Sequence, residues 1–91
     1  MRFAYQLQVS FIKEGSKFIA YAPALDIATS GRNLGQARKR FEELARIFFS
    51  ELHKRKVLDK ALTELGWEKK GSPKKWVSPT ILSTTTELVT V

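Results

Sequence analysis

The sequence predicts an α+β fold: a three-stranded antiparallel meander, one long helix packed on one face, a short second helix, and a C-terminal strand or hairpin. Three observations predict it. Apolar residues alternate with polar or small ones over 3–11, they recur at spacings of three and four over 34–52, and Gly and Pro punctuate the chain between and after these runs.

Phe3, Tyr5, Leu7, Val9 and Phe11 alternate with Ala4, Gln6, Gln8 and Ser10, the period of a strand buried on one face. KEGS at 13–16 supplies turn chemistry around Gly15. KFIAYA at 17–22 then resumes an aromatic and β-branched run, so the two segments read as a hairpin. Pro23 has no N–H to donate and stops the second strand. LDIATS at 25–30 carries a third strand, and Gly31 is expected to supply a positive φ in the turn that follows.

Leu34, Ala37, Phe41, Leu44, Ala45, Phe48 and Leu52 share one face of a long helix. Asn33 is its N-cap, with Gln36 three residues later as the capping-box partner. Glu42 with Arg46 and Glu51 with Arg55 are spaced as i,i+4 ion pairs on the outer face. No Gly or Pro interrupts 36–65, yet a single straight helix does not fit. At about 100° per residue, Val57, Leu58, Ala61, Leu62 and Leu65 fall roughly 110° from the face centred on Phe41 and Phe48. A break within HKRK at 53–56 and a short second helix over 57–65, ended by Gly66 in a left-handed conformation, resolve the mismatch. In the tail, GSP and SP mark turns between short extended runs, and TTTELVTV at 84–91 reads as a final strand. That strand has too few apolar residues to stand alone, so it is expected to pair with the meander or another subunit, with Thr86, Leu88, Val89 and Val91 at an oligomer interface.

Ninety-one residues suffice for one domain, read as a core over 3–55 and an extension over 57–91. A domain this small argues against a deep catalytic cleft and gains from forming a homodimer or larger assembly. The absence of cysteine excludes disulfides, thiolate zinc sites and thiol catalysis, and fits a cytoplasmic location. The opening segment lacks the apolar block of a signal peptide, and no run approaches the ~20 apolar residues of a spanning helix, so a soluble protein is expected. Of the net charge of +7, the segment 32–60 carries +5, from nine Lys and Arg against Glu42, Glu43, Glu51 and Asp59.

The stretch GSKFIAYAPALDIATSGRNLGQARKRFEELARIFF resembles the HicB-like family, the antitoxins of HicA-HicB toxin-antitoxin pairs and their stand-alone relatives. Gly15, Pro23, Leu25, Gly31, Asn33 and Ala37 occupy the places of its glycine turn, Pro-x-Leu step, strand-ending glycine, helix cap and helix Glu-Ala motif. LTELGWEKK and KKWVSPTIL are similar to the C-terminal half of one branch, so the likeness runs from about Phe3 onward. Three features depart from the pattern: Asp26 stands where the family often has Gly, Gln36 where its helix usually has Glu, and the outer surface is less acidic. The resemblance implies a non-enzymatic protein that binds and neutralises a small HicA-type RNA-cleaving toxin. The DNA-binding module of some members has no counterpart after Trp67, where helical periodicity ends.

The residues themselves offer little chemistry. His53 is the only histidine and reads as a solvated side chain at the end of the long helix; Glu42 and Glu43 are adjacent and point apart, and Asp26 and Asp59 have no predicted partner. No catalytic residue, metal ligand or cofactor site is assigned; HicB-like folds are similar to part of a ribonuclease H fold, but the carboxylate cluster that chemistry requires is not present in this sequence. The basic segment supports an alternative, a stand-alone nucleic-acid-binding or regulatory module. Arg32, Lys39 and Arg46 recur at seven, Arg38 lies beside them, and arrayed charge is what phosphate contacts require. Phe48, Phe49, Trp67 and Trp76 are read as core, and a membrane is not an expected partner.

Overall fold

The computed structural model describes residues 3–91; Met1 and Arg2 lie outside them. Strands β1 (Ser10–Glu14), β2 (Lys17–Ala22) and β3 (Ile27–Gly31) form an antiparallel sheet in the order β1-β2-β3. Helix α1 (Leu34–Lys54) packs on one face of it, α2 (Leu58–Glu64) follows, and β4 (Glu68–Lys70) with β5 (Lys75–Val77) makes a separate hairpin. The α+β architecture is the one expected, and the C-terminal element is a hairpin.

The register sets which side chains meet the helix. Phe11, Ala20 and Thr29 lie side by side across the sheet, as do Tyr21 and Ala28 on the opposite face. The inner row places Ala20 and Ala22 against Ala37 and Phe41, with Val9, Phe11, Phe18 and Ile27 around them. A second cluster joins Ala24, Leu25, Phe49, Leu62 and Trp67, and Leu7 and Ile27 belong to the surroundings of both. The aromatic residues read as core sit there: Phe49 and Trp67 are buried, and Phe48 and Trp76 half-buried.

Two strand expectations need correction. Alternation begins at Phe3, but the ladder begins only at Ser10, which faces Tyr21. Beyond Ala22 the chain turns: Leu25 N–H donates to the Ala22 carbonyl at 3.2 Å and Asp26 N–H to that of Pro23 at 3.2 Å. Residues 3–9 therefore form no strand, although Tyr5, Leu7 and Val9 pack inward against the core clusters. The run at 84–91 also forms no strand, because no free strand of its own chain lies beside it. Gly31 does not carry a positive φ. It is required for close approach, since a Cβ there would stand 2.6 Å from the Ala37 backbone nitrogen. The positive φ after Pro23 belongs to Asp26, at 53°.

The helix ends follow the sequence closely. Gln36 N–H donates to Asn33 Oδ1 at 2.8 Å, and Gln36 Oε1 accepts from the Arg32 backbone N–H at 2.7 Å, one residue before the usual capping-box donor. At the other end Lys56 N–H donates to the His53 carbonyl and Val57 N–H to that of Leu52, each at 3.1 Å, closing the last turn through Lys56 at φ 58°. The same closure recurs after α2, where Gly66 N–H donates to Thr63 and Trp67 N–H to Leu62, with Gly66 at φ 89°. The break between the helices is thus a left-handed cap on a lysine.

A left-handed L-residue costs roughly 1–2 kcal/mol, partly offset in a glycine variant by greater freedom of the unfolded chain. Lys56→Gly should therefore raise stability by about 0.5–1 kcal/mol, read as a higher urea midpoint at unchanged slope. Gly31→Ala should lower it by about 1–3 kcal/mol, because helix and strand must move apart. A lower midpoint for Lys56→Gly would show that its side chain contributes something the backbone strain does not outweigh.

Candidate functional site

The extended segment 3–7 and α1 enclose a groove of about 530 Å³, lined on one side by Phe3, Tyr5 and Leu7 and on the other by Arg46, Phe49 and His53. The Tyr5 ring stacks on Phe49 with centroids 4.2 Å apart, and Trp67 meets Tyr5 edge-on at 6.3 Å. The Tyr5 hydroxyl lies 2.7 Å from His53 Nε2, and Phe3 stacks on the imidazole at 4.3 Å. This corrects the solvated reading of His53, which is half-buried and holds the N-terminal segment against the helix. Burial, and then the negative charge of Asp59, raises the Tyr5 phenol above its ordinary value, so the neutral hydroxyl persists further into alkaline solution. Among the described residues, no three of His, Asp and Glu come together where they could hold a metal ion.

The basic residues do not form one array. Arg32 precedes α1, within the capping turn, so the seven-residue repeat is helical only for Lys39 and Arg46. Arg38 lies over the Phe11 ring, 4.9 Å from its centroid, while Arg40 Nη1 donates to the Ser30 carbonyl at 2.9 Å on the β3 side. Lys39 is exposed, and Arg46 lines the groove. Of the two expected ion pairs on α1, Glu51–Arg55 forms at 3.3 Å, and Glu42–Arg46 is not among those formed by the described residues. The two aspartates do have partners: Asp59 pairs with Lys69 at 3.3 Å, and Asp26 accepts from the Tyr21 hydroxyl at 3.1 Å, which raises the Tyr21 phenol.

The residues of the resemblance divide between exposed turns and caps and the buried core. Gly15 closes the β1–β2 turn at φ 60°, Pro23 ends β2, Leu25 is buried behind it, Gly31 lies under Ala37, and Asn33 caps α1. Thr86, Leu88, Val89 and Val91 are exposed and lie on an arm without secondary structure. No helix among the described residues is long and apolar enough to cross a membrane.

No family model, curated protein or solved structure matches the chain.

The raised Tyr5 phenol has a consequence for alkaline stability. The unfolded phenol titrates near pH 10, so the stability held below that value is lost as pH rises through the folded value. Tyr5→Phe should give up about 1 kcal/mol near pH 7 with its hydrogen bond to His53. It should then lose less than the parent between about pH 7 and about pH 11, as read by urea unfolding. Equal alkaline losses in the two proteins would place the titration elsewhere.

Proposed function

We propose that the chain is a non-enzymatic, antitoxin-like protein of the HicB kind that binds a small HicA-type RNA-cleaving toxin and neutralises it by covering it. It would act in the cytoplasm as a homodimer or larger assembly. The observation that carries this reading is the conformation at Asp26. Where the resembling family often has Gly, this chain has Asp in the left-handed region, at φ 53°, immediately after the Pro23–Leu25 step. The turn thus keeps the backbone geometry that a Gly would serve there, with an Asp in its place. Gly31 supports the reading in the same way, since its lack of a side chain lets α1 settle on β3.

The meander also offers a protein-sized contact. Only one face of the sheet is covered by α1; the other presents Ile12, 45% exposed, beside the half-buried Ile19 and Tyr21. Such a face suits a protein partner more than a polyanion. The alternative, a nucleic-acid-binding or regulatory module using segment 32–60, has less support, because Arg38, Arg40 and Arg55 are already engaged with Phe11, Ser30 and Glu51.

Co-expression with the product of an adjacent small gene tests the proposal. The expected result is a stable complex and relief of that gene's growth inhibition, weakened less than about tenfold by raising salt from about 0.05 to about 0.5 M. Ile19→Asp should abolish the relief, whereas Lys39→Glu with Arg46→Glu should leave it intact. If no such partner binds, and the double charge reversal instead abolishes a steeply salt-dependent complex with RNA or DNA, the nucleic-acid reading replaces this one.

A further inference from the structure

One edge of the sheet is left unpaired. Strand β1, Ser10–Glu14, pairs on one side alone, with β2, and its other side is the outer edge of the sheet. The segment just before it is flanked by the chain's own residues 76–81: Ser78 Oγ donates to the Gln6 carbonyl at 3.2 Å, and Ile81 N–H donates to Gln8 Oε1. That cover stops short of β1. Exposed edges are normally protected by charged side chains, proline or a bulge. In β1 the only charges are Lys13 and Glu14, at the end next to the turn, and Ser10–Ile12 carry neither charge nor proline.

The same molecule carries a strand-forming sequence that pairs with nothing. Beyond Ile81 the chain leaves the body as an arm, with Leu82 94%, Leu88 94% and Val89 79% exposed. The radius of gyration is 15.3 Å, against about 12 Å for a compact chain of this length, and the longest dimension reaches 44 Å. The arm is rich in Thr and Val, which favour extended pairing, and Glu87 is its only charge. In a protein this basic, two copies repel over most of their surface; the β1 edge, where Lys13 and Glu14 balance, and the arm with its single Glu87 are where they can meet without that cost.

We propose that the arm of one copy, residues 82–91, adds as a strand to the unpaired edge of β1, residues 10–14, of a second copy, and that the exchange is reciprocal. The occupant is a second copy because the arm's root, at Ile81 beside Gln8, already lies at the start of its own edge, and from there the chain turns outward. Two arms and two edges satisfy each other at once under two-fold symmetry, which closes the assembly instead of extending it. Backbone pairing supplies the affinity, and Leu82, Leu88 and Val89 leave water in the same step. The inference concerns the chain alone and stands whether or not a toxin partner exists.

Light scattering on the full chain at about 1 to about 100 µM is the first measurement. The expected mass is twice the 10.4 kDa of one chain, falling to one chain when residues 82–91 are removed. Leu88→Asp with Val89→Asp should do the same without truncation, and near-UV circular dichroism should stay unchanged because neither side chain touches the core. Cross-linking then identifies the partner. Because the chain has no cysteine, an Ile12→Cys copy and a Thr86→Cys copy can be mixed and treated with a short bis-maleimide. A linked pair of chains from the mixture supports exchange. A monomer at the highest concentration, a dimer unaffected by both arm variants, or a link formed only within single chains carrying both cysteines would overturn it.

Discussion

The fold is anchored at Trp67. Its indole N–H donates to the Ala24 carbonyl at 2.8 Å, 43 residues earlier in the chain, and the side chain is 2% exposed. That one hydrogen bond satisfies a buried carbonyl in the turn after β2, which no ladder reaches. The ring meets Phe49 of α1 and Tyr5 of the N-terminal segment edge-on, and it belongs to the same cluster as Leu62 of α2. Four separate stretches of chain thus converge on one side chain. Removing a buried Trp costs roughly 3–5 kcal/mol, a large share of the roughly 5–15 kcal/mol by which a domain is stable.

The position of Trp67 is in turn set by two left-handed residues. Lys56 breaks α1 from α2, and Gly66 ends α2 so that Trp67 N–H returns to the Leu62 carbonyl and the indole turns inward. At the other end of α1, a different constraint holds helix to sheet: Gly31, Ala20, Ala22 and Ala37 are small enough for backbones to come close, and Phe41 fills the space beyond them. The core is therefore divided. One half depends on small residues and close approach, the other on stacked aromatics, and Leu7 and Ile27 join them.

Much of this was legible in the sequence wherever the controlling interaction is local. The turn at Gly15, the Asn33 cap, and the break at 53–56 all depend on residues within a few positions of one another. The 110° change of phase was enough to separate the helices, even though the break occurs on a lysine. What escaped is non-local. Alternation over 3–9 reports which side chains face inward but not whether a neighbouring strand is present, and β2 ends too early to supply one. The contact between Tyr5 and His53 spans 48 residues, so a lone histidine read as solvated is in fact a clasp. Gly31 has two possible reasons to be Gly, φ or proximity, and only the packed helix distinguishes them.

Charge gives the last constraint on how the molecule associates. Arg38, Arg40 and Arg55 have partners within the chain, and Arg46 sits in a groove rimmed by aromatic rings, so the +7 is dispersed over several faces and does not form one phosphate-binding stripe. The surfaces left without partners are of another kind. They are the outer face, where Ile12 and Ile19 lie beside the oppositely charged Glu14 and Lys17, the unpaired edge of β1, and the arm at 82–91, whose one charged side chain is Glu87. Association through such surfaces proceeds by backbone pairing and apolar burial, terms that salt screens little. Dispersed positive charge then serves to keep the remaining surface from joining nonspecifically, and it leaves the edge and face of the sheet, where Lys13, Glu14 and Lys17 nearly balance, as the places where a partner gains most by docking.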